Sequence, residues 1–257
     1  MSVIALQLYT LRDFLKTPAD VAATLKRVRG IGYEAVQVSG LGPIDPAELG
    51  RILSGEGLRC VVTHMSLDRF RGDFDRVVEE HRLWGCSLTA IGGFFKDNPT
   101  LADWEAFADE FGQLAERYAA AGLRLGYHNH SHEWIRPPGS SKTPMQVLFE
   151  RLHPAAWFEI DTYWVQHAGG DPAAWIDAAA GRIPVVHLKD MAVRRREGKT
   201  EPVMAEVGEG NLNWPRILQS CRQAGVQWYA VEQDICPRDP FESVAVSLRN
   251  LRAMGLH

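Results

Sequence analysis

Short apolar runs alternate along the chain with longer stretches whose apolar residues recur every three or four positions. The runs fall at residues 3–8, 35–38, 59–63, 88–91, 124–127, 157–160, 185–187 and 228–231, and their length suits buried strands. Between them, PADVAATLKRVRGIG (18–32), WEAFADEFGQLAERYAAAGL (104–123) and WPRILQSCRQAG (214–225) carry the helical period. Gly32, Gly122 and Gly225 punctuate three helix ends, and Pro18, Pro46 and Pro215 stand near helix starts. Eight such alternations predict an α/β chain folded as a (β/α)8 TIM barrel, with residues 1–257 forming one domain. A doubly wound open sheet would be expected to carry a glycine-rich phosphate loop after its first strand. Here that place is held by QLYTLRDF (7–14), which contains no glycine. PPGSSK (137–142) reads as part of a βα-loop rather than a linker between domains.

The last four predicted strands stop on acids and imidazoles: YHNHSHE (127–133), FEID (158–161), VVHLKD (185–190) and AVEQD (230–234). Side chains alternate across a strand, so Glu159 and Asp161 share one face, as do His187 and Lys189, and Glu232 and Asp234. An inward carboxylate needs a cation, since an isolated buried charge costs several kcal/mol. Taken singly, each of these residues reads as a hydrogen-bonded core or rim group. Four in succession, at the barrel face where active sites are found, change that reading. Parallel strands would bring Glu133, Asp161, His187 and Glu232 to one point. Such a set suits one divalent cation, Mn²⁺ first and Mg²⁺, Co²⁺ or Zn²⁺ next.

The remaining composition narrows the setting. A net charge of -4 gives no footprint for nucleic acid. Four cysteines without CxxC spacing read as free thiols of a reducing compartment. No signal peptide and no apolar run of about 18 residues is evident, so a cytoplasmic protein without a membrane partner is expected. Residues 192–210, with Arg194, Arg195, Arg196 and Lys199, read as a solvated charged loop.

The ordered motifs YHNHxxE, EIDTYW, HLKD and VGEGxxxW, with a glutamate ending the eighth strand, resemble the xylose isomerase-like TIM barrels. The likeness is to the sugar phosphate isomerase/epimerase branch and spans essentially the whole chain. It implies one divalent metal held by Glu, Asp, His and Glu from strands five to eight. Asp161, His187 and Glu232 match that set directly. At strand five the usual glutamate is replaced by His128, and Glu133 is the nearest carboxylate. Either Glu133 folds back to the metal or His128 takes the acid's place. Glu133 is favoured, because a further negative ligand suits a hard cation, leaving His128 and His130 for acid–base or orienting roles.

The resemblance further implies a sugar, sugar phosphate or keto-sugar isomerase or epimerase. It would abstract a proton next to a carbonyl and pass through a metal-stabilised enediolate. The alternative is a metal-dependent lyase or dehydratase of a keto-inositol or 3-keto-glycoside. Glu133 and Glu232 are the candidate bases on opposite faces, His128 competes with them, and Lys189 is placed to neutralise an oxyanion. His64, His130, Trp164, Phe94, Glu159 and Glu209 are the candidate carbohydrate contacts. Homo-oligomers are common among such barrels, so self-association is an open expectation. An abasic-site DNA endonuclease on this barrel is disfavoured, since its three zinc ions need more His and acid ligands than the chain places. A non-catalytic sugar-binding barrel would instead bind its ligand after chelation.

Overall fold

The computed structural model describes residues 4–257, so position 3 of the first expected strand lies outside the described residues. Eight parallel strands close into a barrel: β1 (Ile4–Gln7), β2 (Ala35–Val38), β3 (Arg59–His64), β4 (Leu88–Ile91), β5 (Arg124–His128), β6 (Trp157–Asp161), β7 (Val185–Leu188) and β10 (Trp228–Val231). Neighbours in sequence pair in the sheet, and β10 completes the ring against β1. Helices intervene between successive strands, as the alternation of periods predicts.

Strand alternation sorts the apolar residues into two layers. Leu6, Val36, Tyr127, Ile160, Val186 and Val231 pack outward against the helices. Ala5, Ala35, Val62, Ala90, Trp157 and Val185 belong to a second cluster that fills the lumen. The small residues make room for Trp157. Gly126 has the same cause, since a Cβ there would lie 2.4 Å from the Trp157 ring.

Two residues further along, the inward positions turn polar: Gln7 follows Ala5, Gln37 follows Ala35, His64 follows Val62, and His128 follows Gly126. Glu159 follows Trp157, His187 follows Val185, and Glu232 follows Ala230. At a rise of about 3.3 Å per residue, this polar layer stands about 6.6 Å above the apolar plug.

The helix ends behave as their residues dictate. Thr17 and Asp20 form a reciprocal cap with Pro18 in the first turn, Thr100 and Asp103 repeat the cap, and Gly32 and Gly225 close helices in the left-handed conformation. Residues 192–210 depart from the charged-loop expectation. β8 (Asp190–Arg196) and β9 (Lys199–Ala205) pair as an antiparallel hairpin apart from the barrel. Its tip, Glu197-Gly198, takes φ of 50° and 78°, the two consecutive positive values that a tight hairpin turn requires. The four consecutive-looking cations masked a strand, because both faces of this hairpin tip are solvated.

Candidate active site

At the C-terminal mouth, one ligand atom from each of His128, Asp161, His187 and Glu232 lies within 4.8 Å of the others. All four residues are buried. His187 Nδ1 is 2.9 Å from Glu232 Oε2 and 3.8 Å from Asp161 Oδ2, while His128 Nε2 is 3.3 Å from Asp161 Oδ2. His128 Nδ1 and His187 Nδ1 are buried without a well-formed hydrogen bond, while Glu232 Oε2 is held by Lys189. Unsatisfied buried nitrogens are costly, and His187 Nδ1, facing the oxygens of Glu232 and Asp161, would be satisfied by a cation shared with them. The donor set therefore fits a divalent ion.

The surroundings set the charge of each group. Burial pushes His128 down to about 4, with the positive charge of His187 adding to the effect, so its imidazole is in the neutral form that ligates. Burial also opposes a proton on His187, but Glu159 and Glu232 outweigh it and hold that imidazole well above its ordinary value. Burial would raise Asp161 and Glu232, yet Lys189 and the histidines hold both carboxylates low. Lys189 Nζ, itself 1% exposed, sits 2.7 Å from Glu232, 3.1 Å from Asp161 and 2.9 Å from Asp234.

Glu133 is not brought to this cluster; the strand-five residue that joins it is His128, the other alternative read from the sequence. Alternation explains the result: His128 points into the lumen, whereas Tyr127 points outward and takes Glu133 with it. The Tyr127 hydroxyl donates to Glu133 Oε1 at 2.7 Å, and the His130 amide donates to Oε2 at 2.9 Å. A pair of opposed bases, Glu133 and Glu232, is lost with it. Glu133 instead groups with His130 and His132.

Other expected contacts divide in the same way. His64 remains at the site, with ring centroids 5.2 Å from His128 and 5.4 Å from His187. His130 lies 4.9 Å from His128 and 5.3 Å from Trp164, and Lys189 Nζ is 5.6 Å from the Trp164 ring. Glu159 is too deep for the mouth, being two residues below Asp161. Its carboxylate serves His64 at 2.5 Å, His187 at 3.1 Å and Gln37 at 3.2 Å. Phe94 faces away, stacked on Phe107 at 4.4 Å. Glu209 lies at the rim, paired with Arg238 at 2.9 Å.

Gln37 was not singled out from sequence. Its Oε1 lies 2.8 Å from His187 Nε2 and orients that ring. A polar residue at the inward end of an apolar strand was the available signal. Asn129, also missed, accepts the Asp161 amide at 3.0 Å. Asp190 organises the VGEG segment, accepting from the amides of Gly208, Gly210 and Leu212 and from the Trp214 indole.

Relatives give this geometry its context. The rhizopine catabolism protein MocC of Rhizobium meliloti is 26% identical over 90% of this chain and 80% of its own length. The inosose dehydratase of Erwinia tasmaniensis is 23% identical, covering 86% of this chain and 85% of that protein. Among solved structures, a sugar phosphate isomerase/epimerase from Parabacteroides distasonis superposes with a TM-score of 0.80 at 22% identity, covering 98% of both chains. No helix of the described residues is long and apolar enough to cross a membrane. The family sequence model described as xylose isomerase-like TIM barrel matches residues 25–254, and the chain belongs to that family.

Proposed function

We propose that this protein is a divalent-metal-dependent enzyme that abstracts a proton next to the carbonyl of a sugar-like polyol and, within that class, eliminates water from a keto-inositol or related ketone. The observation that carries the reading is the buried quartet His128, Asp161, His187 and Glu232, whose two imidazoles and two carboxylates fit one cation. Bound there, a divalent ion, Mn²⁺ in the first instance, would polarise a carbonyl and stabilise negative charge on its oxygen.

The chain's own groups supply the rest. His130 is held down to about 2 by burial, with His128 and Lys189 adding to the effect, so it stays neutral and is suited to orienting a substrate hydroxyl, and Glu232 is the candidate base. The His130 Nδ1 is buried without a partner among the described residues. Lys189, kept charged by three carboxylates, can donate a proton to a departing hydroxyl or steady an oxyanion. Trp164 offers an apolar face to the C–H side of a carbohydrate ring. Elimination is favoured over two-base epimerisation because Glu133 does not stand opposite Glu232, and the dehydratase named above supports the same preference. Isomerisation or epimerisation by Glu232 is the second reading, favoured by the solved structural neighbour.

Incubating a keto-inositol with the Mn²⁺-loaded protein in D₂O separates the readings. Metal-dependent loss of one water supports the dehydratase. A deuterated product of unchanged oxygen count would replace it with the isomerase or epimerase, and chelator-insensitive turnover would overturn both.

A further inference from the structure

We infer that the cavity between the loops after β4 and β5 is a second subsite, which binds an aromatic aglycone carried by the carbohydrate substrate. The inference rests on the carbohydrate reading above and extends it to substrate class. The cavity encloses about 880 Å³, and its walls include Phe95, Trp104, Ile135 and Pro137. None of the quartet lines it, but its wall residue His132 is joined to the quartet through the ring of His130. His130, 4.9 Å from His128, is 5.3 Å from Phe95 and 5.8 Å from His132, and His132 is 6.0 Å from Trp104. On this inference the sugar ring sits at the quartet and the aryl group reaches past His130 into this space.

Three observations identify what it takes. Phe95 and Ile135 are 69% and 68% exposed, and large apolar groups bared together at a site edge mark a binding surface. The Trp104 indole N–H is buried without an acceptor among the described residues, although a buried Trp N–H ordinarily finds one. A ring oxygen substituent on the ligand would supply it. Of the two cations at the wall, Lys96 is already engaged by Asp103 at 2.6 Å. Arg136, the other, presents a guanidinium suited to stacking on an aromatic face. Aromatic walls, one donor without a partner and one stacking cation match an aryl ring better than a further sugar or a phosphate.

The test compares 4-nitrophenyl β-D-glucoside, methyl β-D-glucoside and 4-nitrophenol by calorimetry on the Mn²⁺-loaded protein. Burial of the ring should make the aryl glycoside bind about tenfold or more tightly than the methyl glycoside. The preference should shrink to about twofold in a Phe95→Ala/Ile135→Ala variant, which alters only exposed side chains and should keep the fold. Trp104→Phe retains the ring and removes the donor, and should weaken 4-nitrophenol severalfold. Equal affinities for the two glycosides, absence of binding by either, or a preference that survives the double substitution would overturn the inference. Titrating 4-nitrophenol with and without chelator separates the two claims. Binding insensitive to chelation but lost in the double variant supports the cavity even where the metal reading fails, whereas no binding in either state counts against the cavity alone.

Discussion

His128 and Glu133 show how one residue's side of a strand decides chemistry. Both are buried, His128 at the end of β5 and Glu133 in the short turn five residues further on, and both have donor atoms of the right type. Only His128 continues the inward series begun by Gly126, so the imidazole reaches Asp161 and His187 while Glu133 is tied to Tyr127. We predict that Glu133→Gln keeps one metal per chain, whereas His128→Ala lowers metal affinity by about 100-fold or more through loss of a direct ligand. Competitive chelator titration of the two variants measures both outcomes, and metal loss in Glu133→Gln with retention in His128→Ala would reverse the assignment. Asp161, His187 and Glu232 were legible because each lies on or immediately beyond its strand, where alternation still holds. Glu133 was misplaced because it lies five residues beyond His128, past the reach of that rule. Charge preference alone then pointed to the carboxylate.

At the scale of elements, polar bolts hold the helices and loops in register with the strands. The helix Phe74–Trp84 is fastened to β3 by His81, whose Nε2 lies 2.8 Å from Thr63 Oγ1 and whose Nδ1 lies 2.7 Å from the Val77 carbonyl. Burial pushes His81 down to about 4. Above the unfolded value near 6.5 both states are neutral; as pH falls below it, only the unfolded chain takes up the proton, and stability declines until about 4. This residue should therefore cost about 2 kcal/mol between pH 7.5 and pH 5. Urea unfolding should show that slope in the parent and lose it in His81→Gln; an unchanged slope would exclude His81 as the source. Asp190 plays the matching role for the segment after the hairpin. Asp190→Asn removes a charged acceptor from four amides and an indole, and should cost roughly 2–3 kcal/mol in denaturant unfolding. The strand–helix order was readable from periodicity. The hairpin was not, since seven residues rich in exposed Arg carry no alternation when neither face is buried.

In the molecule as a whole, an apolar plug carries a polar layer, and that layer supplies three of the quartet, His128, His187 and Glu232. Trp157, the alanines and Val185 fill the bottom. Gln37 and Glu159, the latter gripped by His64, hold His187 by its far nitrogen. His128, His187 and Glu232 share that polar layer, and Asp161 and Lys189 lie one inward step further along their strands, toward the end where the βα-loops open. The register staggers the layers around the ring, since Glu159 pairs with Val185 and Asp161 with His187. That architecture was legible from eight alternating segments, and so was the face on which the chemistry would appear. The lateral identity of each contact was not, because strand periodicity gives a side chain's face but not its neighbour across the lumen. The central claim, one divalent metal on His128, Asp161, His187 and Glu232, is tested most directly by elemental analysis of the purified protein after Mn²⁺ loading, beside Asp161→Asn. The account predicts about one metal per chain in the parent and loss of that metal in the variant with the fold retained. An equal metal content in both, or none in either, would contradict it.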